Sequence, residues 1–169
     1  FMTSFNDIDG VPATANPFVL KKVLRDEWKF DGLVVSDYTA VMELMFHGLA
    51  KDEADAARYA LNAGTDMEMV SRLYNKYGEK LLKDKQISMA TIDNSVRNIL
   101  RVKFRLGLFD NPFADENREK AEIFKQANLD AAKRAAERSF VLLRNENKTL
   151  PINKNVEKVA IIGSLANDK

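Results

Sequence analysis

The first 85 positions alternate between short apolar runs and stretches whose apolar residues keep helical spacing. The clearest run extends from Gly32 to Tyr38, where three apolar residues end abruptly at Ser36 and Asp37. A short apolar run bounded by turn residues predicts a buried strand. Parallel strands present their last side chains at the edge where barrel and doubly wound enzymes hold their chemistry, so Asp37 is a candidate nucleophile or base. From its position alone, Asp37 is equally open to interpretation as the cap of the next helix.

The flanking residues repeat this pattern. Phe1 to Phe5 alternates like a strand, residues 6–14 form a loop rich in turn residues, and Asn16-Pro17 begins a helix. After Asp37, a helix is predicted between Asp52 and Gly64, and residues 65–70 form a short strand. Strand–helix alternation predicts an α/β protein with a parallel sheet. Because a complete eight-unit barrel needs roughly 250 residues, we expect the second half of a barrel or part of an open sheet.

The pattern becomes helical from Ser88. Ser88 caps a long helix that ends at Gly107, a polar linker follows, and residues 119–139 form a second long helix rich in alanine. Two short apolar runs come next, at 140–143 and 159–162. The second run predicts the first strand of another α/β domain.

Composition excludes several classes of function. The 26 basic and 25 acidic residues nearly cancel, so no broad field favours nucleic acid or an anionic membrane. The chain has no cysteine and a single histidine, His47, which excludes disulfides and a zinc site built on several histidines. There is no apolar run of about 18 residues that would span a membrane, and the first residues lack the pattern of a signal peptide.

Short motifs across nearly the whole chain resemble glycoside hydrolase family 3, in its bacterial β-glucosidase branch. Each motif alone is weak, and the resemblance rests on their shared order and spacing. The motifs are Met2-Thr3-Ser4-Phe5-Asn6, Asp7-Ile8-Asp9-Gly10-Val11-Pro12-Ala13, Leu24-Arg25-Asp26-Glu27-Trp28-Lys29-Phe30-Asp31-Gly32, Val35-Ser36-Asp37-Tyr38, Ala63-Gly64-Thr65-Asp66-Met67, Lys103-Phe104-Arg105-Leu106-Gly107-Leu108-Phe109, Val141-Leu142-Leu143-Arg144-Asn145 and Ile161-Ile162-Gly163-Ser164-Leu165-Ala166.

The resemblance implies an internal part of a longer, two-domain enzyme. Residues 1–106 correspond to the C-terminal part of a (β/α)8-type catalytic barrel. Residues 107–139 correspond to a linker with a long helix, and residues 140–169 to the truncated start of an α/β sandwich domain with its first strand. The family's acid/base glutamate usually comes from that second domain, so we expect the 169-residue chain alone to be inactive.

The resemblance also assigns roles to individual residues. Asp37 matches the nucleophile of a retaining glycosidase, which forms a covalent glycosyl-enzyme. Tyr38 stands where the family often has tryptophan, and an aromatic residue there stacks on the sugar or borders the next subsite. Met2 and Phe5 match residues of the sugar pocket, although a place in the barrel core is an equal alternative for both. No metal or organic cofactor is implied.

Four further polar residues have structural alternatives. By the resemblance, Asp66 matches a frequent family residue at the end of the eighth strand, where holding the backbone is at least as good an interpretation as contacting sugar. We interpret His47 as a surface loop residue. We assign Asp7 and Asp9 to a turn, because two acids and a glycine do not make the twelve-residue calcium loop.

The expected function is therefore hydrolysis of terminal β-D-glucosyl residues from β-glucosides or short β-glucans. A β-xylosidase or another exo-acting β-glycosidase of the family is the alternative. Relatives are often periplasmic or secreted, and we expect the same here. Two other classes stay open: an aldolase-type phosphate-binding barrel, for which glycine-rich phosphate loops are missing, and a non-catalytic α/β module that associates with itself through exposed barrel edges and long helices.

Overall fold

The computed structural model describes residues 1–166, which divide into two compact units, Phe1–Phe113 and the residues from Ala114 onward. Strands and helices alternate in the first unit, and the second unit contains helices only. The strands are β1 (Asp7–Ile8), β2 (Val11–Pro12), β3 (Val35–Tyr38) and β4 (Met67–Met69). The helices are a 3₁₀ turn (Ala13–Ala15), a π-helix (Phe18–Glu27), α1 (Ala40–Glu43), α2 (Glu53–Ala63), α3 (Leu73–Lys83), α4 (Met89–Arg105), α5 (Glu116–Glu122), α6 (Gln126–Ser139) and a second 3₁₀ turn (Glu146–Lys148).

Three parallel segments lie side by side in the first unit. β3 pairs with β4, and Met2 forms an isolated parallel bridge to Val35 on the other side of β3. Thr3 N donates to Val35 O at 3.0 Å, and Val35 N donates to Phe1 O at 2.9 Å. The predicted α/β class with parallel pairing is therefore correct, although the strand expected over residues 1–5 is reduced to one bridge.

Local capping fixes where the helices begin and end. Asn16 Oδ1 accepts from the backbone N–H groups of Phe18 and Val19 at 3.0 and 3.2 Å, so the predicted cap of the first helix is confirmed. Asp52 caps α2 by accepting from Asp55 N at 2.8 Å. Gly64 ends that helix with φ +106°, a left-handed conformation that favours glycine.

Two groups of buried apolar side chains cover the inner faces of these helices. One is centred on α2 and includes Val41, Leu44, Ala57, Leu73 and Leu81. The other joins the π-helix to β3 and consists of Leu20, Leu24, Val34 and Ala63. Both groups contain side chains of α2, which makes this helix the element that links the sheet to the rest of the unit.

The loop predicted over residues 6–14 contains a small hairpin that the sequence analysis missed. β1 and β2 pair antiparallel, with Ile8 opposite Val11. Asp9 and Gly10 form the turn, with φ +54° and +73°. An Asp-Gly pair with both residues left-handed is typical of a two-residue hairpin turn. Asp9 therefore has the turn role that its sequence predicted.

Two predictions for the later part of the chain are wrong. The single helix expected over 119–139 is broken between α5 and α6, because Phe124 adopts a left-handed φ of +61° that ends the helical path. The strand expected at 159–162 does not form. A strand needs a neighbour for its backbone groups, and the first strand of the sandwich domain has none in the described residues. Ile162 is 93% exposed. Residues 167–169, the end of that predicted domain, lie outside the described residues.

None of the helices described up to residue 166 is both long and apolar enough to cross a membrane.

The Asp52 cap predicts a measurable loss of stability on truncation. We expect Asp52→Ala to lower the free energy of unfolding by about 1 kcal/mol, because Asp55 N loses its acceptor at the start of α2. Asp52→Asn is the matched control, since asparagine caps as well as aspartate. Urea unfolding followed by circular dichroism measures both. Equal losses in the two variants would contradict the role of the cap.

Candidate functional site

The candidate site lies at the carboxyl edge of the parallel segments, where the sequence predicted it. Asp37 is the third of the four residues of β3 and is partly buried. Its Oδ1 accepts from Tyr38 N at 2.7 Å. Oδ2 has no hydrogen-bond partner within residues 1–166, so one carboxylate oxygen is fixed by the backbone and the other is available for chemistry.

A β-bulge surrounds this carboxylate. Val35 is opposite Met67, whereas Tyr38 is opposite Met69, so β3 contains one residue more than β4 between these pairs. The fully buried Ser36 completes the ladder, because its Oγ accepts from Met69 N at 2.8 Å and donates to Asp37 O at 2.9 Å. Bulges redirect side chains near active sites. Here the Ser36 side chain, directly before Asp37, bonds to both strands at the bulge. The sequence did not predict this role of Ser36.

The backbone that follows both strands is strained. Thr39 directly after β3 and Val70 directly after β4 have φ values of +58° and +72°. Positive φ is unfavourable for β-branched residues and is concentrated at functional sites. Thr39 is held there by Thr39 N donating to Met69 O at 3.1 Å and by Thr39 Oγ1 donating to Glu43 Oε1 at 2.6 Å. The turn that follows Asp37 is therefore held in its strained conformation by hydrogen bonds to Met69 and Glu43.

The other predicted substrate-binding residues are all exposed to solvent. Met2 pairs with Val35, two residues before Asp37, and is 50% exposed. Phe5 and Tyr38 are 39% and 58% exposed. None of the three is part of the buried core, so their apolar surface is open to solvent.

His47 links two loops of this edge. Its Nδ1 lies 3.2 Å from Asp7 Oδ1, which joins the loop after β3 to the β1–β2 hairpin. Both side chains are partly exposed. Within residues 1–166, no cluster of three or more histidine or acidic side chains could hold a metal ion.

Asp66 lies directly before β4, so the expected position at the end of the strand is wrong. It is at the opposite end of the strands from Asp37 and holds the backbone. Asp66 Oδ2 accepts from Arg25 Nη2 at 2.8 Å and from Val34 N at 2.9 Å, and Oδ1 accepts from Asn98 Nδ2 at 3.0 Å. Its side chain is only 4% exposed. The Arg25 guanidinium also donates to Phe30 O and Gly32 O. The structural interpretation of Asp66 agrees with these contacts, whereas Arg25 was missed as its partner.

Glu68 of β4 is a second acidic group that the sequence analysis missed. Burial raises the pKa of the Glu68 carboxyl above its ordinary value, although hydrogen bonds from the Tyr74 and Leu73 backbone oppose the shift. Oε1 accepts from Tyr74 N at 2.6 Å, and Oε2 is buried without a partner. Burial also raises the pKa of the Tyr74 hydroxyl well above its usual value, and this hydroxyl donates to Thr65 O at 3.0 Å. Glu68 therefore anchors the start of α3.

Residues 1–102 match the model of the glycosyl hydrolase family 3 N terminal domain. A periplasmic beta-glucosidase of Salmonella typhimurium is 39% identical over 178 residues, which cover 99% of this chain and 22% of the relative. A putative beta-xylosidase of Formosa agariphila is 41% identical over 169 residues, which cover 99% of this chain and 22% of the relative.

Solved structures lead to the same group. The crystal structure of a beta-glucosidase from Listeria innocua in complex with glucose superposes with a TM-score of 0.76 and 37% identity, over 89% of this chain and 21% of the other. The chain thus spans about a fifth of the length of the relatives it matches.

The contacts of Asp66 predict a large loss of stability when it is removed. We expect Asp66→Ala to lower the free energy of unfolding by about 2 to 4 kcal/mol, because the partly buried Arg25 guanidinium loses its counter-ion and Val34 N loses its acceptor. The control is Glu79→Gln, which breaks an exposed ion pair with Lys83 and should change stability very little. Urea unfolding compares them. Similar midpoints for the two variants would rule out this role of Asp66.

Removing the charge of Glu68 should raise the stability of the chain, and the gain should depend on pH. Its folded-state pKa is raised, so ionisation destabilises the folded state once the pH exceeds the ordinary glutamate value of about 4.3. Glu68→Gln keeps an acceptor for Tyr74 N and removes the charge. We expect the variant to match the original chain at low pH and to become the more stable of the two as the pH rises to neutrality. Thermal unfolding measured from acid to neutral pH tests this, and a constant difference would contradict it.

Proposed function

We propose that this chain, which belongs to glycosyl hydrolase family 3, supplies Asp37 as the nucleophile that hydrolyses β-linked glucosides with retention of configuration. The observation that carries the proposal is the Asp37 carboxylate at the carboxyl edge of β3, with Oδ1 fixed by Tyr38 N at 2.7 Å and Oδ2 without a partner in the described chain. The sequence motif Ser36-Asp37-Tyr38 supports the same assignment.

The chemistry follows from this geometry in two displacement steps. Asp37 Oδ2 attacks the anomeric carbon, the bond to the leaving-group oxygen breaks, and a second carboxyl group about 5–5.5 Å away donates a proton to that oxygen. The same group then removes a proton from water, which cleaves the glycosyl ester and restores the Asp37 carboxylate. The Tyr38 N–H and the Ser36 bulge hold the attacking group in place, which reduces the cost of orienting it.

We further propose that residues 1–106 are the last three strand–helix units of a (β/α)8-type barrel. The Met2 segment, β3 and β4 are neighbouring parallel segments in chain order, as in such a barrel. In this arrangement Met2, Phe5 and Tyr38 contribute apolar surface to the sugar pocket. Residues 107–139 form the linker, and residues 140–169 begin the second domain.

The proposed substrate is a terminal, non-reducing β-D-glucosyl residue, with a β-xylosyl residue as the alternative. The Salmonella typhimurium relative and the glucose-bound Listeria innocua structure support the first, and the Formosa agariphila relative supports the second. The name of the Salmonella relative also supports a periplasmic location. We expect the 169-residue chain to be inactive alone. In this family the acid/base glutamate usually comes from the second domain, and general acid catalysis is worth about 10²- to 10⁴-fold in rate.

The exposed apolar side chains support self-association of the chain when it is isolated. Phe46 and Phe104 are 77% and 65% exposed, and apolar patches of this kind favour association. Light scattering at increasing concentration distinguishes an associating chain from a monomer.

A chimera tests the nucleophile. We replace the matching segment of the Salmonella relative with these 169 residues, treat the protein with a 2-deoxy-2-fluoro glucoside and map the label by mass spectrometry. We expect an ester on Asp37. The fluorine slows the second step, hydrolysis of the glycosyl-enzyme, so the ester lasts long enough to be mapped. Asp37→Asn should lower kcat for aryl β-glucosides by about 10⁴-fold or more. Asp26→Asn, an exposed carboxylate on the π-helix, is the control.

The outcomes separate the alternatives. A label on another residue of an active chimera would disprove the assignment of Asp37. Faster turnover of aryl β-xylosides than of glucosides would favour the xylosidase alternative. Robust turnover by the isolated 169-residue chain would contradict its expected inactivity.

A further inference from the structure

A cavity of about 320 Å³ lies at the amino-terminal ends of β3 and β4, between the π-helix and α4. Asp66, which lines it, directly precedes β4, and Asp31 lies shortly before β3. Asp37 is at the other end of β3. The cavity is therefore separate from the proposed catalytic edge, and nothing in the proposed reaction uses it.

The cavity has a surplus of positive charge. Its two carboxylates already have partners, since Asp66 pairs with Arg25 and Asp31 pairs with Arg105. Three further cationic side chains line the cavity without forming an ion pair in the part of the chain that the structure describes. They are Lys21, Arg97 and Arg101.

Arg101 is preorganised at the wall of this cavity. Its Nη1 donates to Asp31 O at 2.7 Å and to Asn98 Oδ1 at 3.0 Å, both of which are uncharged acceptors. The guanidinium is thus held in place without a direct ion pair within residues 1–166, although, after the larger effect of Arg105, its charge helps to lower the pKa of the nearby Asp31 carboxyl. A planar guanidinium with free N–H groups suits a bidentate contact to an oxyanion.

Ser95 supplies an independent observation. It lies on the cavity wall and is only 8% exposed. Its hydroxyl makes no hydrogen bond with any of residues 1–166, and its oxygen is not among the fully buried atoms, so it is accessible from the cavity. The neighbouring Thr91 hydroxyl, in contrast, is paired with Ser88 Oγ at 3.0 Å. An accessible hydroxyl beside cations that form no ion pair in the described chain suits a ligand with several acceptor oxygens.

We propose that this cavity binds the phosphoryl group of a small molecule. A phosphate dianion offers the charge that Lys21, Arg97 and Arg101 lack and the acceptor that the Ser95 hydroxyl lacks. The cavity has the size of a small-molecule site, so the phosphoryl group is carried by a sugar phosphate or is free inorganic phosphate. The site does not depend on the proposed glycosidase function.

Isothermal titration of the 169-residue chain in chloride buffer tests the proposal with two probes, inorganic phosphate and glucose 6-phosphate. We expect saturable binding of one ligand per chain. Lys21→Gln and Arg97→Gln should each weaken binding by about two- to fivefold, because each removes one exposed charge contact. Ser95→Ala should weaken binding without changing the net charge.

The matched controls change a neighbouring cation outside the cavity. Lys22→Gln on the π-helix and Lys103→Gln on α4 are both exposed and should bind as the original chain does. Tighter binding of glucose 6-phosphate than of phosphate would identify a sugar phosphate as the ligand, and equal binding would identify free phosphate. No saturation by either probe up to about 10 mM, or equal weakening in cavity and control variants, would overturn the proposal. Circular dichroism of every variant verifies that the fold is retained.

Discussion

The arrangement of the strands depends on a single buried carboxylate, that of Asp66. It accepts hydrogen bonds from a strand backbone, from a helix side chain and from a guanidinium that in turn holds the turn before β3. Each donor comes from a different element, so the carboxylate fixes β3, the π-helix and α4 relative to β4. A buried carboxylate is tolerated only when its acceptors are used. Here both oxygens are used, and the start of each strand is placed as a result.

The opposite end of the same strands is shaped by different forces. The ladder between β3 and β4 is interrupted by one extra residue, and the Ser36 hydroxyl takes the place of a backbone acceptor. The strained turn at Thr39 follows directly. Because of the extra residue, the side chains of β3 do not alternate regularly against β4 between Val35 and Tyr38, where Asp37 lies. The amino-terminal edge is thus stabilised by charge, and the carboxyl edge is shaped by backbone geometry.

The sequence predicted features that depend on neighbouring residues. The caps at Asn16, Asp52 and Ser88 and the left-handed Gly64 each follow from contacts within a few positions. The apolar run ending at Asp37 predicted β3 for the same reason. Contacts across distance could not be predicted in this way. Arg25 lies 41 residues from Asp66, and no local pattern marks the pair.

The same limit explains the errors. The apolar residues of α4 keep helical spacing, yet Ser95 is its one buried residue and its polar side chains contact Asp31 and Asp66. Helical spacing identifies a helix but does not determine which face meets its neighbours. The run at 159–162 has strand-like residues, but pairing needs a second segment, which local sequence does not supply.

The contacts of Asp66 also have a consequence for synthesis of the chain. A ribosome delivers residues in order, and domains tend to fold as they emerge. Arg25 and Val34 are delivered before Asp66, but Asn98 follows it by 32 residues. Until α4 has emerged, the Asp66 carboxylate lacks the donor that Asn98 supplies, and α4 does not yet cover it. Premature pausing between these positions would therefore leave the nascent chain with its sheet paired but its charged centre exposed to water.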